Sequence, residues 1–128
     1  MKIALSFLCS LFVLTGCSSS HVSTTYLTSP PIAIEASDLN KYWISHENKG
    51  SFNIYKLEVP KHNGMVKIQY LIDSNGDIFN PSILEATPND AWNDIAMHGL
   101  SAVEYTPAEG NKEKVPVIVA KEFIFTQP

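Results

Sequence analysis

The chain has 128 residues, 45% hydrophobic and 17% charged, with a formal net charge of −4. That length has room for one domain with one core. All nine basic residues are lysines; without a guanidinium fork to grip phosphate, and without a basic stripe, nucleic-acid binding is set aside.

Lys2 gives a short positive start, and residues 3–14 form an apolar run that includes Leu5, Phe7, Leu8, Leu11, Phe12 and Val13. A run of about a dozen residues is too short for a helix to cross roughly 30 Å of hydrocarbon. It fits the apolar region of a secretory signal peptide. The run ends in Leu14-Thr15-Gly16-Cys17, which resembles the bacterial lipobox. That resemblance implies cleavage after Gly16 and a diacylglyceryl thioether on Cys17, whose thiolate is the apt nucleophile. It also implies an acylated new N-terminus, palmitate being a usual chain. Residues 1–16 are thus expected to be a signal peptide that takes Cys9 with it. Cys17 is the expected lipidation site and holds the protein on a membrane, since two or three acyl chains anchor stably. Ser18 in place of aspartate after the cysteine implies, by the same resemblance, the periplasmic face of the outer membrane.

Residues 17–34 read as a tether, rich in serine and threonine up to Pro31 and with too little apolar surface to order itself. The domain is expected at residues 35–128, with its core at 64–125. At the domain's start Ser37 suits the cap of a short helix carrying Leu39, Tyr42, Trp43 and His46 on one face. Asn48-Lys49-Gly50 would end that helix. Trp43 is read as a core anchor, because an aromatic of its size buries a large area. Residues 52–59 fit a strand or a helical turn equally, and residues 60–64 read as a turn.

The strongest local signal follows. Val66, Ile68, Tyr70 and Ile72 alternate with Lys67, Gln69 and Leu71, the period of a strand with one buried face. Asp73-Ser74-Asn75-Gly76-Asp77 then breaks the pattern, and Ile78, Phe79, Ile83 and Leu84 resume it. Two strands around an Asn-Gly turn predict a β-hairpin.

Thr87-Pro88-Asn89-Asp90 reads as a helix start, with threonine as cap and proline at the first helical position. Trp92, Ile95, Ala96, Leu100 and Val103 recur at helical spacing. Tyr105-Thr106-Pro107 reads as the helix end, and Glu109-Gly110-Asn111 as a turn. In residues 114–125, Val115, Val117, Val119, Phe123 and Phe125 share one parity, so this is the last strand. Pro116 argues for an edge strand, and Lys121 on the apolar parity for a bulge or protected edge. Hairpin, helix and strand together predict an α+β fold: a split β-α-β unit, a small antiparallel sheet of about three strands, and a helix on one face.

No chemistry-bearing constellation emerges, and neither an enzyme activity nor a cofactor is expected. Asp73, Asn75 and Asp77 imitate a calcium loop, but Ile78 and Leu84 stand where such a loop needs glycine and glutamate. His21, His46, His62 and His98 lack metal-ligand spacing. Asp90 and Asp94 lie four apart, yet Asp90 is better used at a helix start than as half of a catalytic pair.

The ordered set of Gly64 with the alternating run to Asp73, Asn75-Gly76-Asp77-Ile78, Trp92 with Ala96, Glu104-Tyr105-Thr106-Pro107-Ala108, and Phe123-Ile124-Phe125 resembles the C-terminal domain of the TonB energy transducers. The resemblance spans residues 64–125, about half the chain. It implies the same α+β fold and a mode of action, in which the last strand accepts an extended segment of an outer-membrane receptor by β-augmentation. Carried over, the partner-binding residues are Val115, Val117, Val119, Lys121, Phe123 and Phe125. The expected function is a lipid-anchored periplasmic TonB-like module that captures a peptide segment or protein partner in outer-membrane transport or envelope assembly. The alternative is a self-associating structural lipoprotein of the envelope, a homo-oligomer without a role in energy transduction.

Overall fold

The alternating run folds as read. In the computed structural model, which describes residues 24–47 and 57–127, Gly64–Ile72 form strand β3 and Ile78–Thr87 form strand β4. The even positions Val66, Ile68, Tyr70 and Ile72 are buried, while Gln69 faces solvent. The turn between the strands closes through Gly76 N–H to Asp73 O and Asp73 N–H to Asp77 O, both 2.9 Å. The Asp73 carboxylate also accepts from the backbone N–H of Asn75 and Asp77 at 2.9 and 3.0 Å. Gly76 has φ +85°, and a Cβ there would meet the carbonyl of Tyr105. The position thus needs glycine for both its conformation and its space.

β6 (Val117–Phe125) pairs antiparallel with β3 on the side opposite β4. This is the predicted split order, with β4 on the far edge. The sheet is larger than expected, however. β1 (Ile32–Ile34) adds a fourth strand, parallel to β6 over Val117, Ile118 and Val119. The tether expected to run to residue 34 therefore ends earlier, because residues 32–34 belong to the sheet. Its preceding residues are also held. Tyr26 N–H donates to Asp73 Oδ2 at 2.9 Å, Ser74 N–H donates to Tyr26 O at 2.8 Å, and Thr28 N–H donates to Ser74 Oγ at 2.9 Å. A polar arm can be ordered in this way by backbone hydrogen bonds that composition does not register.

A second sheet pairs β2 (Trp43–Glu47) antiparallel with β5 (Val103–Pro107). Both strands correct the sequence reading. The helix expected around Ser37 is a 3-10 turn at Ala36–Asp38 and a single helical turn, α1, at Leu39–Tyr42. Ser37 caps neither: Glu35 and Asp38 hold the two cap positions without side-chain capping bonds. Tyr105-Thr106-Pro107 is strand, not helix end. Alternation at Val103 and Tyr105 is compatible with a helix terminus, and pairing with β2 some sixty residues away decides it. Residues 48–56, including Asn48-Lys49-Gly50 and most of the ambiguous 52–59 stretch, lie outside the described residues.

The main helix, α2, spans Asn93–Ser101 and buries Ile95, Ala96 and Leu100 against the sheet. It starts later than Thr87 and Pro88 suggested, since Thr87 pairs with Met65 as the last residue of β4. Asn89 provides the cap instead, accepting from Ala91 N–H at 3.0 Å ahead of a 3-10 turn at Asp90–Trp92.

Trp43 is fully buried, as read, and its indole Nε1–H donates to Val115 O at 2.9 Å. Beneath the hairpin the Tyr70 and Tyr105 hydroxyls meet at 2.7 Å, joining the two sheets through the core.

Candidate functional site

The residues singled out for partner binding are divided by the fold. Val115 precedes β6; its N–H donates to Asn111 Oδ1 at 2.9 Å and its carbonyl holds Trp43. Val117 and Val119 are buried and lie between β1 and β3. Over these residues the last strand is not an edge, which corrects the sequence reading. Pro116, read there as an edge marker, instead accepts Ile32 N–H at 3.1 Å through its carbonyl. Lys121, Phe123 and Phe125 are half-buried on the same face as α2. The Lys121 Nζ sits 5.6 Å from the centroid of the Phe123 ring, close enough for a cation–π attraction. Phe125 stacks on Trp92, 4.4 Å between centroids and 7° between planes. Trp92 is fixed in turn by Nε1–H to His62 O at 3.0 Å and by Gly64, where any Cβ would collide with the indole. Lys121 marks no bulge, since the β3–β6 register runs unbroken from Gly64 opposite Phe125 to Ile72 opposite Val117.

What β6 offers outward is backbone. Consecutive residues of a strand turn their N–H and C=O groups to opposite sides. Pro116 O points to β1, so the even residues 118, 120, 122 and 124 present their groups on that side and the odd ones bond β3. β1 pairs with β6 only as far as Val119. Among the described residues no strand pairs with β6 beyond that point on this side, though the 3-10 turn at Ala36–Asp38 lies against β6, and residues 121–125 form a regular outer rim. Ile124 on this rim is 72% exposed. An apolar hollow of about 430 Å³, lined by Gly64, Met65, Thr87, Pro88, Ile124 and Phe125 among others, spans the ends of β6, β3 and β4 at that end of the sheet. The surface beside it carries a charge row, with Lys67 of β3 standing between Glu122 of β6 and Glu85 of β4.

The arrangement can hydrogen-bond an extended backbone and accept an apolar side chain. Among the described residues no group of three His, Cys, Asp or Glu side chains is placed to hold a metal ion, and no helix is long and apolar enough to cross a membrane. His46 bonds Thr106 Oγ1 at 2.8 Å on the second sheet, and Asp90 and Asp94 are both exposed. Cys17 lies outside the described residues. One part of the rim's surroundings escaped the sequence reading: β1, which sits in a stretch that reads as tether. Ile124 lies on the parity opposite to Phe123 and Phe125, which marks it as an apolar residue away from their face.

No protein-family model matches this chain, and no curated protein matches it in sequence. Its fold is similar to the solution NMR structure of the Pseudomonas aeruginosa TonB CTD, with a TM-score of 0.54 over 73% of this chain and 93% of that one, at 17% sequence identity. At that identity the likeness is one of fold, and the fold here is α+β, as in that domain.

Proposed function

We propose that this chain is a lipid-anchored periplasmic binding module of the TonB type. It captures an extended segment of another envelope protein, such as an outer-membrane receptor, by adding it as a strand to the outer rim of β6. The observation that carries this reading is the regular rim at residues 121–125, which no described strand pairs with beyond the three-residue β1 and which ends at an exposed isoleucine beside an apolar hollow. Main-chain bonds to the even residues would supply affinity, and side-chain pockets specificity. Lipidation at Cys17 would hold the module at the outer membrane. Partner capture replaces catalysis in this reading, and energy transduction is not assigned to the chain.

A photocrosslinking residue at Ile124 in cells tests the proposal. Discrete adducts should form and should disappear when Glu122→Pro removes one outward N–H. Adducts unchanged by that proline would overturn it. A band at twice the chain's mass as the sole adduct would favour self-association instead.

A further inference from the structure

We propose that the turn end of the domain seats on the bilayer surface through Tyr26 and Leu27, leaving the β6 rim at the far end. The inference rests on the lipid-anchor reading of Cys17.

Tyr26 and Leu27 are 54% and 42% exposed, although both are large apolar side chains. Their backbone is nevertheless held on both sides. Tyr26 N–H and C=O both bond the hairpin turn, through Asp73 Oδ2 and Ser74 N–H. Thr28 bonds Ser74 Oγ through its N–H and turns its own hydroxyl to the carbonyls of Glu113 and Lys114 at 3.1 and 3.2 Å. Asp73 and Ser74 are themselves almost completely buried. A mere linker needs no such clasp. The clasp fixes an aromatic and a leucine outward at one end of the sheet, whereas most large apolar side chains among the described residues are drawn inward.

Chain length decides what they face. Tyr26 lies nine residues after Cys17, a reach of at most about 30 Å even when fully extended. With acyl chains on Cys17, this end of the domain cannot leave the headgroup layer by more than about the height of the sheet itself. Tyrosine favours that layer because its ring is apolar and its hydroxyl stays wet. The strand polarity then orients the rest. Val117 of β6 lies at the turn end, opposite Ile72 and Ile32, and Phe125 lies opposite Gly64 at the other end. Eight steps at ~3.4 Å place Phe125 about 27 Å further along the sheet. β1 thus covers the membrane-proximal part of the rim, and the open part points into the aqueous space.

The full lipidated chain is purified with Leu27→Cys or Ile124→Cys, and each variant is labelled with an environment-sensitive fluorophore. Both positions are exposed, so neither variant should disturb the fold. The proteins are reconstituted into vesicles of phosphatidylethanolamine with a minority of phosphatidylglycerol, with or without headgroup-level nitroxide lipid. Flotation of the vesicles checks the anchor. The expected result is flotation with quenching several-fold greater at position 27 than at position 124. Flotation without quenching at position 27 would overturn the seating while leaving the anchor intact, as would a label at 27 shielded from water but not quenched, which marks a protein contact. Equal quenching at both positions would overturn it by showing a domain lying flat. Loss of flotation would remove the anchor reading and the seating with it.

Discussion

β4 and β6 each present an outer rim, and the two are built differently. Along β4 the register slips twice. Lys67 faces Glu85 but Ile68 faces Ile83, which leaves Leu84 over; Gln69 faces Ser82 but Leu71 faces Phe79, which leaves Asn80 and Pro81 opposite one residue. Asn80 has φ 51°, a left-handed backbone that suits asparagine in a bulge. Bulges and a proline are the means by which sheets blunt an edge against further pairing. Residues 120–125 of β6 have neither, and their ladder to β3 is regular. One rim is closed to added strands by its own irregularity. The other is covered for three residues by β1 and then, among the described residues, runs on straight without a paired strand.

The comparison can be strained first at its common support. Trp92→Ala removes the indole that stacks on Phe125 and fills the space over Gly64, and should cost about 3–5 kcal/mol in urea unfolding. It should also free the end of β6 and abolish capture. Next come two adjacent prolines on β6. Lys121→Pro deletes a bond to β3 and leaves a carbonyl without its donor, for about 1–3 kcal/mol. Glu122→Pro, whose N–H faces outward, should cost about 1 kcal/mol or less. Equal losses in the two variants would show that the parity assigned to the rim is wrong.

The phenol pair tests the tie between the two sheets. Burial, and then the neighbouring Tyr105, pushes the Tyr70 pKa up; burial also raises that of Tyr105 against the opposing effect of its bond to Tyr70. The folded state therefore holds these protons more tightly than the unfolded chain, whose phenols ionise near pH ~10. The stabilisation is whole below about pH 10 and is lost as pH rises past it, by at most about 1.4 kcal/mol per pH unit for each phenol. Unfolding curves across the alkaline range should show this fall, and Tyr70→Phe combined with Tyr105→Phe should flatten it. A similarly small effect is expected at the clasp. Ser74→Ala removes the acceptor for Thr28 N–H and should cost about 1 kcal/mol. It should also speed hydrogen exchange at Thr28 while leaving exchange along β6 unchanged.

Much of this architecture was legible from spacing. The β3 alternation, the Gly76 turn, Ile95, Ala96 and Leu100 on the buried face of α2 and the parity of β6 each rest on a period within a few residues and appear where that period placed them, whereas Val103, read with that helix face, opens β5. The misses share one cause. β1, β2 and β5 are short, and partners roughly sixty to eighty-five residues away make them strands. Thr87 looked like a helix cap because its neighbours suit one, but the β3 ladder claimed it. The tether looked unable to order itself because composition counts apolar surface and not the backbone groups that Asp73 and Ser74 hold.

Read alone, the chain determined its α+β class and the hairpin-helix-strand order, because hydrophobic periodicity and turn chemistry act locally. Only the tertiary structure decided how far β1 covers the rim of β6. Whether a strand's edge is covered depends on segments far away in the chain, and no local pattern in β6 records that its pairing with β1 stops at Val119.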